Sequence, residues 1–244
     1  RHYGFTLIED ASHALGGRYR DHAVGAIPGV AATIFSFHPA KQVTAAEGGA
    51  VLTDDAELAA RLRELRHHGI TRDPARMPSA PDGGWAYEQI ALGFNYRLSD
   101  LHAALGTSQL RRLDAFLARR RALAARYDAS LAQLPVILPA HSPGAQSGWH
   151  LYPVRLRRGG AYRRAVFESM QAAGIGVNVH YIPVHYHESY QRLGFRRGQF
   201  PEAERYYDTA LTLPLYPDLT DAQQDYVIDR LRDSLQTAEA QVAS

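Results

Sequence analysis

The sequence predicts an α/β fold, because short apolar runs alternate with helical patterns along its first section. This alternation is typical of βαβ units and a mostly parallel sheet. The 244 residues, 45% of them hydrophobic, can bury a sizeable core, and the length suits one large domain or two modest ones. We therefore expect two domains, at residues 1–110 and 111–244.

The first domain is predicted to contain three strands and one helix with clear ends. The strand candidates are the apolar runs at residues 5–8, 31–37 and 49–53. Either of the two aspartates after the last strand can cap a helix, and leucines at helical spacing lead to Gly69, a typical helix end. This segment therefore predicts one amphipathic helix.

A long helical region is predicted to lead into the second domain. Ser99 caps it, and it extends to about residue 134. The segment at residues 138–148 is the best candidate for a linker or long loop. The elements expected after it are strands at residues 149–156 and 175–182 and helices at residues 162–173, 202–211 and 221–235.

Composition narrows the classes of function. A formal net charge of +2 gives no broad electrostatic case for nucleic-acid binding, so small-molecule partners are favoured. The absence of cysteine excludes disulfides, thiolate catalysis and Cys-bearing metal sites. No run approaches the ~18 apolar residues of a membrane span, and no signal-peptide pattern is present. We expect a cytoplasmic protein with no membrane or nucleic-acid partner.

Lys41 lies in a loop of small residues directly after a predicted strand. A lone lysine in a loop is ordinarily a solvated surface charge. Its neighbours favour another role, because Gly48 and Gly49 let the backbone approach a bound object and Ser36 offers a hydroxyl to a phosphate oxygen. In a partly apolar pocket the pKa of a lysine falls, and its neutral amine can form a Schiff base with an aldehyde.

An aldehyde cofactor that carries a phosphate suggests pyridoxal phosphate (PLP), whose pyridine nitrogen needs a carboxylate beside it. Asp10 directly follows an apolar strand that we expect to be buried, at the edge where open α/β sheets bind ligands. Taken alone, Asp10 is better explained as the cap of the next turn. His13 could hydrogen-bond the phenolic oxygen of the cofactor or serve as a structural donor. Asp10, His13, Ser36 and Lys41, in this order, together indicate a PLP site far more strongly than any one of them does alone.

The segments "IEDASHALGG", "FSFHPAKQVTAAEGGAVLTDD", "LRHHGITRD" and "LGFNYRLSDLHAALGTSQLRRLD" resemble the DegT-type PLP-dependent nucleotide-sugar aminotransferases, which are fold-type I aminotransferases. The resemblance covers nearly the whole chain. It implies that Lys41 bonds the cofactor and shuttles protons, that Asp10 pairs with the pyridinium, that His13 lies near the ring oxygen and that Ser36 holds the phosphate. It also implies that Asn95 reaches the cofactor phosphate of a partner subunit, and hence a homodimer with shared active sites.

The resemblance further implies an incomplete large PLP-binding domain followed by a smaller C-terminal α/β domain. Family members carry a small-residue loop and a ring-stacking aromatic upstream of the Asp10 strand. The chain opens on Arg1 instead of Met and enters an apolar strand almost at once. We therefore expect an N-terminally truncated fragment that binds PLP poorly by itself.

A narrower similarity concerns residues 174–228, which are similar to the family branch that acts in pseudaminic acid biosynthesis. That branch transfers an amino group from L-glutamate to C4 of a UDP-linked 4-keto-6-deoxy-N-acetylhexosamine. The chain departs from the branch at residues 185–190, where "HYHESY" replaces a Leu-Gln-Pro-Tyr-Tyr type of run. Another nucleotide-linked keto sugar therefore stays open as the substrate.

Two interpretations of the histidine-rich segment near residue 180 compete. His180, His185 and His187 could bind a metal with Glu188, if a strand and a Pro turn place two of the imidazoles on one face. The preferred hypothesis is that His180, Tyr181 and His185 line a sugar-nucleotide pocket and that no metal is bound.

Two further function classes remain for the chain. A family dehydratase is one, but it would be expected to carry histidine in place of Lys41, so Lys41 argues against it. A non-catalytic remnant of the same family is the other alternative.

Overall fold

The structure is a computed structural model that describes residues 2–243, with side chains described as far as residue 240. The chain forms two compact units, Arg1–Asp114 and Ala115–Ser244. The domain division at residue 110 concerns the family fold and stays a prediction. No helix among residues 2–243 is both long enough and apolar enough to cross a membrane.

The first unit is built around a small mixed sheet. Its elements, in chain order, are β1 (Ile8–Asp10), β2 (Arg18–Tyr19), β3 (His22–Ala23), β4 (Ala32–Ser36), β5 (Gly49–Leu52), α1 (Ala56–Leu65), β6 (Ile70–Thr71), a 3-10 helix (Pro74–Arg76), β7 (Glu88–Gln89) and α2 (Asp100–Leu110). The strand order of the main sheet is β1-β4-β5. Two antiparallel pairs, β2 with β3 and β6 with β7, lie outside this sheet.

The expectation of βαβ units is wrong for the main sheet of the first unit. β1 runs parallel to β4, with Asp10 opposite Ile34, but the chain between them contains turns and the β2–β3 hairpin instead of a helix. β4 and β5 are antiparallel, with Ser36 opposite Gly49, and a loop at residues 37–48 joins them. A loop suffices because an antiparallel return needs no crossover helix.

The expected buried strand at residues 5–8 is also wrong. The strand begins only at Ile8, which is 60% exposed, and Phe5 and Leu7 are exposed as well. β1 is an edge strand, hydrogen-bonded on one side only within the described sheet. β4, which is paired on both sides, contributes the buried residues Ala32, Thr33 and Phe35.

The helical predictions of the first unit are largely confirmed. Asp55 caps α1 by accepting hydrogen bonds from the backbone N–H groups of Glu57 and Leu58, at 2.9 and 3.0 Å. The helix end expected at Gly69 is wrong, since α1 ends at Leu65 with Arg66 as its C-cap; Gly69 itself has φ +70°, the left-handed conformation that a glycine adopts without strain. Ser99 caps α2, as expected. The long helical region is interrupted at residues 111–112, where α2 ends and a second helix begins.

The second unit packs helices against a three-stranded antiparallel sheet of order β11-β10-β8. Its elements are α3 (Leu113–Leu131), β8 (Val136–Ile137), β9 (Ala145–Gln146), β10 (Tyr152–Leu156), α4 (Ala161–Ala172), a 3-10 helix (Val184–Tyr186), α5 (Glu188–Gln191), α6 (Pro201–Thr209), β11 (Ala210–Leu213) and α7 (Asp221–Ala243). Fully buried core residues include Leu123, Tyr127, Leu131, Tyr152, Val154, Val166, Met170, Leu211 and Leu231.

Of the expectations for the second unit, the strand at residues 175–182 is wrong, and the helix at residues 202–211 is confirmed except for its last two residues. Residues 175–182 form no strand, and only Asn178 exchanges backbone hydrogen bonds with a neighbour, Thr212, at 3.2 and 2.7 Å. The helix expected at residues 202–211 ends at Thr209, and all four residues of β11 after it are buried. The apolar and β-branched run therefore pairs with β10, an outcome set by a partner far away in the sequence.

Candidate active site

The loop at residues 37–48 is fixed to the main sheet of the first unit. Phe37 donates a backbone hydrogen bond to Gly48 at 2.8 Å and accepts one from Ala45 at 2.9 Å. Val43 and Ala45 are fully buried, so their side chains anchor the loop. Because these contacts hold both ends and the middle of the loop, Lys41 stands on a defined backbone.

Lys41 is half-buried and is the single lysine of the sequence. Its backbone N–H donates to the carbonyl oxygen of His38 at 3.0 Å. Burial lowers the pKa of the Lys41 ammonium, while the charge of Asp10 acts in the opposite direction. The structure thus gives Lys41 the partly desolvated environment that the sequence suggested, with the Asp10 carboxylate as an opposing charge.

Asp10 ends β1, and its carboxylate accepts hydrogen bonds from the backbone N–H and the hydroxyl of Ser12, at 3.1 and 2.6 Å. These two bonds are the main reason why the pKa of Asp10 lies below its ordinary value, and the charges of His13 and Lys41 lower it further. The turn-capping interpretation of Asp10 is therefore correct as far as it goes. It does not exclude a second role, because Asp10 and Lys41 also interact electrostatically.

The other two predicted cofactor-binding residues, His13 and Ser36, lie close in the sequence to Asp10 and Lys41, respectively. His13 is exposed, and its carbonyl oxygen accepts a hydrogen bond of 2.9 Å from the side-chain amide of Gln42. The Ser36 hydroxyl is at the end of β4, where it accepts a long hydrogen bond of 3.4 Å from the backbone of His38. Sequence reasoning missed Ser12 and Gln42, since neither belongs to a pattern that by itself predicts a contact.

Asn95 lies on an exposed segment that is tied to the end of α1. Backbone bonds join Phe94 to Leu65 at 2.7 Å and Tyr96 to Arg66 at 2.9 Å. The rings of Phe94 and Tyr96 stack with their centroids 4.8 Å apart, and both side chains are exposed. Asn95 is thus displayed between two aromatic residues on a backbone that α1 holds in place.

The residues predicted to contact substrate in the second unit have different environments. The Nδ1 atom of His180 lies 2.9 Å from the Thr212 hydroxyl, and Tyr181 is largely exposed. His185 is buried, and its Nε2 atom lies 2.8 Å from a carboxylate oxygen of Glu204. That hydrogen bond is the main reason why the pKa of Glu204 is lowered. The buried pair favours a packing role for His185, and its contact with substrate stays a prediction.

The geometry assumed for a metal site is wrong. Residues 184–186 form a 3-10 helix, so the alternation of a strand does not apply to His185 and His187. Within the part of the chain that the structure describes, no three His, Asp or Glu side chains are grouped as metal ligands. The imidazole of His185 is paired with Glu204 and packs against Phe200, with ring centroids 4.8 Å apart.

The profile of the DegT/DnrJ/EryC1/StrS aminotransferase family matches residues 1–232. The chain belongs to this family, and its α/β fold is that of the fold-type I aminotransferases. The fold class that the sequence predicts is therefore confirmed.

Several known proteins are similar to the chain over nearly its whole length. The spore coat polysaccharide biosynthesis protein SpsC of Bacillus subtilis is 37% identical over 244 residues, which are 98% of this chain and 62% of SpsC. Protein Spr1654 of Streptococcus pneumoniae, solved in its PMP-form, is 29% identical with a TM-score of 0.90, covering 98% of this chain and 59% of Spr1654. PseC of Helicobacter pylori, an aminotransferase involved in pseudaminic acid biosynthesis, is 28% identical with a TM-score of 0.86, covering 97% of this chain and 61% of PseC. The chain thus spans about three fifths of the length of the curated relatives that it matches.

Proposed function

We propose that the protein is a PLP-dependent aminotransferase for a nucleotide-linked keto sugar. The observation that carries this proposal is the half-buried single lysine on a fixed loop, whose pKa is lowered by burial and which interacts electrostatically with Asp10. Membership of the aminotransferase family supports it. A structural relative, Spr1654, has been solved in both PLP- and PMP-forms.

The donor set around Lys41 fits PLP chemically. Asp10 stays ionised because two hydrogen bonds from Ser12 stabilise its carboxylate, so it can hold a proton on a pyridine nitrogen. The Ser36 hydroxyl can donate to a phosphate oxygen. His13 carries an exposed imidazole one turn after Asp10 and suits the ring oxygen.

PLP, when bound, acts as an electron sink that makes the carbon next to the transferred nitrogen acidic. The amine of Lys41 would remove the proton from that carbon and deliver it to the former aldehyde carbon of the cofactor, and would make the reverse transfer for the keto sugar. Its lowered pKa assists this role, because a neutral amine is needed to accept a proton. Asp10 would keep the pyridine nitrogen protonated throughout.

A homodimer is part of the proposal, with Asn95 donating to the cofactor phosphate of the partner subunit. Three exposed apolar side chains lie close to Asn95 in the sequence, namely Leu92, Phe94 and Tyr96. Apolar and aromatic surface of this kind is enriched in the centres of protein interfaces. Burial of this segment against a second copy would bring Asn95 to the other active site.

The substrate that we propose is a UDP-linked 4-keto-6-deoxy-N-acetylhexosamine, aminated at C4 with L-glutamate as donor. Two relatives support a sugar substrate: PseC by its part in pseudaminic acid biosynthesis, and SpsC by its part in polysaccharide biosynthesis. His180 and Tyr181 are the proposed contacts to the nucleotide sugar. Tyr181 is largely exposed, so its ring is accessible for stacking with a uracil base.

Reduction with borohydride in the presence of PLP tests the reaction class. Because Lys41 is the single lysine, a pyridoxyl group found by peptide mapping should lie on the peptide that contains residue 41. Lys41→Arg keeps the charge and is the matched control that should carry no label at this position. The experiment uses the full-length protein, and a folded full-length protein that shows no label at Lys41 at saturating PLP would instead support a non-catalytic member of the family.

Competition between substrates tests the sugar. The L-arabino and D-xylo epimers of the 4-keto sugar are offered at equal concentration with glutamate, and the amino sugars are identified by NMR. We expect the L-arabino epimer to be preferred. Preference for the D-xylo epimer, or for a sugar without the N-acetyl group, would assign the protein to another branch of the family and leave the role of Lys41 intact.

A further inference from the structure

Gln42, the residue directly after Lys41, connects the lysine loop to the turn that carries Asp10. Its side chain is only 3% exposed, and its Nε2 atom donates a hydrogen bond of 2.9 Å to the carbonyl oxygen of His13. His13 lies in the short turn directly after Asp10, which a backbone hydrogen bond of 2.9 Å from Ala14 to the Ala11 carbonyl closes. The Gln42–His13 hydrogen bond therefore joins the two segments that hold the lysine and the carboxylate.

The position of this bond follows from the sheet. β1 and β4 are parallel neighbours, with Asp10 opposite Ile34, so the segments that follow both strands leave the same edge of the sheet. Beyond that edge the two segments are no longer held by the strand ladder. The amide of Gln42 crosses between them where the backbone pairing has ended.

The orientation of the Gln42 amide is fixed by its partner. A carbonyl oxygen only accepts hydrogen bonds, so the NH₂ group must face His13 and the amide oxygen must point away. That oxygen, Oε1, is buried and has no hydrogen-bond partner among the described residues. An apolar side chain would avoid this unpaired oxygen, so the bond to His13 is kept at an energetic cost to the fold.

We propose that Gln42 is a positioning residue, which holds the Lys41 amine at a set separation from the Asp10 carboxylate. The inference rests on the proposed function, because it concerns the lysine and the carboxylate of that reaction. Gln42 itself need not touch cofactor or substrate. Its contribution is to prevent the loop from drifting away from the turn.

The charged groups around Lys41 determine how loss of the Gln42–His13 hydrogen bond would change the pKa of Lys41. Asp10 is the charge that acts on Lys41, His13 acts on Asp10, and His38 lies on the lysine loop with its Nδ1 accepting from Ala40 at 3.2 Å. Burial has the larger effect on Lys41 and lowers its pKa. A loosened loop would hydrate the ammonium, move the pKa of Lys41 towards its ordinary value and weaken its coupling to Asp10.

The experiment replaces Gln42 with methionine, which has a similar length and cannot donate a hydrogen bond. Gln224→Met is the matched control, because Gln224 is 0% exposed, donates to the carbonyl of Leu123 at 2.8 Å and also has an unpaired Oε1, but lies in the second unit. The rate at which acetic anhydride acetylates Lys41 is measured against pH in the cofactor-free chain. Mass spectrometry reads the peptide that contains residue 41.

For Gln42→Met we expect the acetylation rate at pH 7 to fall severalfold, because a pKa closer to the ordinary value of lysine lowers the neutral fraction of the amine. Asp10→Asn should speed acetylation in the wild-type and Gln224→Met backgrounds, since it removes a charge that raises the pKa of Lys41. In the Gln42→Met background, the increase in acetylation rate caused by Asp10→Asn should be less than about half of that in the wild-type background. A general loss of stability would not produce this difference.

An unchanged pH profile and an undiminished Asp10→Asn effect in folded Gln42→Met would overturn the positioning role. If Gln42→Met does not fold, the experiment uses Gln42→Asn, whose side chain is one methylene too short to reach His13. The same results then support or overturn the positioning role. The borohydride experiment is independent of this result. Label on Lys41 with an unchanged acetylation profile refutes only the role of Gln42, and no label with a changed profile refutes only the proposed function.

Discussion

Replacing Asp10 with asparagine tests the central electrostatic pair of the proposed site. The carboxylate accepts two hydrogen bonds from Ser12, at 3.1 and 2.6 Å, and the oxygen of an asparagine side chain can accept both. Because Asp10 is also exposed, we expect the free energy of unfolding to change by less than about 1 kcal/mol. The fold and the turn should therefore survive the substitution.

The expected loss in Asp10→Asn falls on turnover. An amide cannot hold a proton on the pyridine nitrogen, and removal of one preorganised charge from an active site costs about 10²-fold or more in kcat. KM for the sugar should change little, because the loss concerns the reacting centre. Steady-state kinetics with urea denaturation of the same preparation measures both quantities.

The matched control is Asp73→Asn, since Asp73 is an exposed aspartate of the same unit whose carboxylate accepts a backbone hydrogen bond from Ala75 at 3.0 Å. It should leave kcat unchanged. The pH dependence of the free energy of unfolding provides a second check, because the folded-state pKa of Asp10 lies below its ordinary value. Its contribution to stability is present above the ordinary pKa of aspartate and is lost as the pH falls through the folded-state value. Near-normal turnover in Asp10→Asn would refute the assigned role.

Two further predictions concern assembly and the second unit. Mixed inactive variants Lys41→Ala and Asn95→Ala should regain part of their activity in heterodimers that rebuild one intact site, and no recovery after verified subunit exchange would reject the shared site. Tyr152→Phe removes a 2.6 Å hydrogen bond to the Asp128 carboxylate and should lower the free energy of unfolding by about 1.5–3 kcal/mol. Tyr127→Phe removes a 2.9 Å hydrogen bond to a backbone carbonyl and should lower it by about 0.5–1.5 kcal/mol. Urea denaturation measures both losses. Equal losses would contradict the dependence on acceptor charge.

The local signals of the sequence were sufficient for the starts of the helices in the first unit. Asp55 acts within one turn of its own position, so the start of α1 was predictable from neighbouring residues, whereas the end was expected at Gly69 and lies at Leu65. The same holds for Ser99 at the start of α2. Strand pairing follows no such local rule, which is why the antiparallel return of β5 and the strand β11 were missed.

The residue types of the candidate site could be recognised in the sequence, but their surroundings could not. Asp10 and Ser36 stand at strand ends and Lys41 follows in the next loop, in an order that predicts the cofactor class. Nothing in the sequence predicts that Gln42 turns inward to the carbonyl of His13, because the two are separated by 29 positions and meet only through the β1–β4 pairing.

His185 shows the same limit from the other side. In the sequence it belongs to a histidine-rich segment that suggests a ligand, and the structure buries it against Glu204, 19 positions further along the chain. A polar side chain acquires its role from the partner that satisfies it once water is excluded. The sequence by itself therefore determined the chemistry on offer, namely one lysine, one strand-end aspartate and one hydroxyl. Only tertiary structure decided which groups are desolvated and paired, because burial and hydrogen bonding depend on segments that meet far apart in the chain.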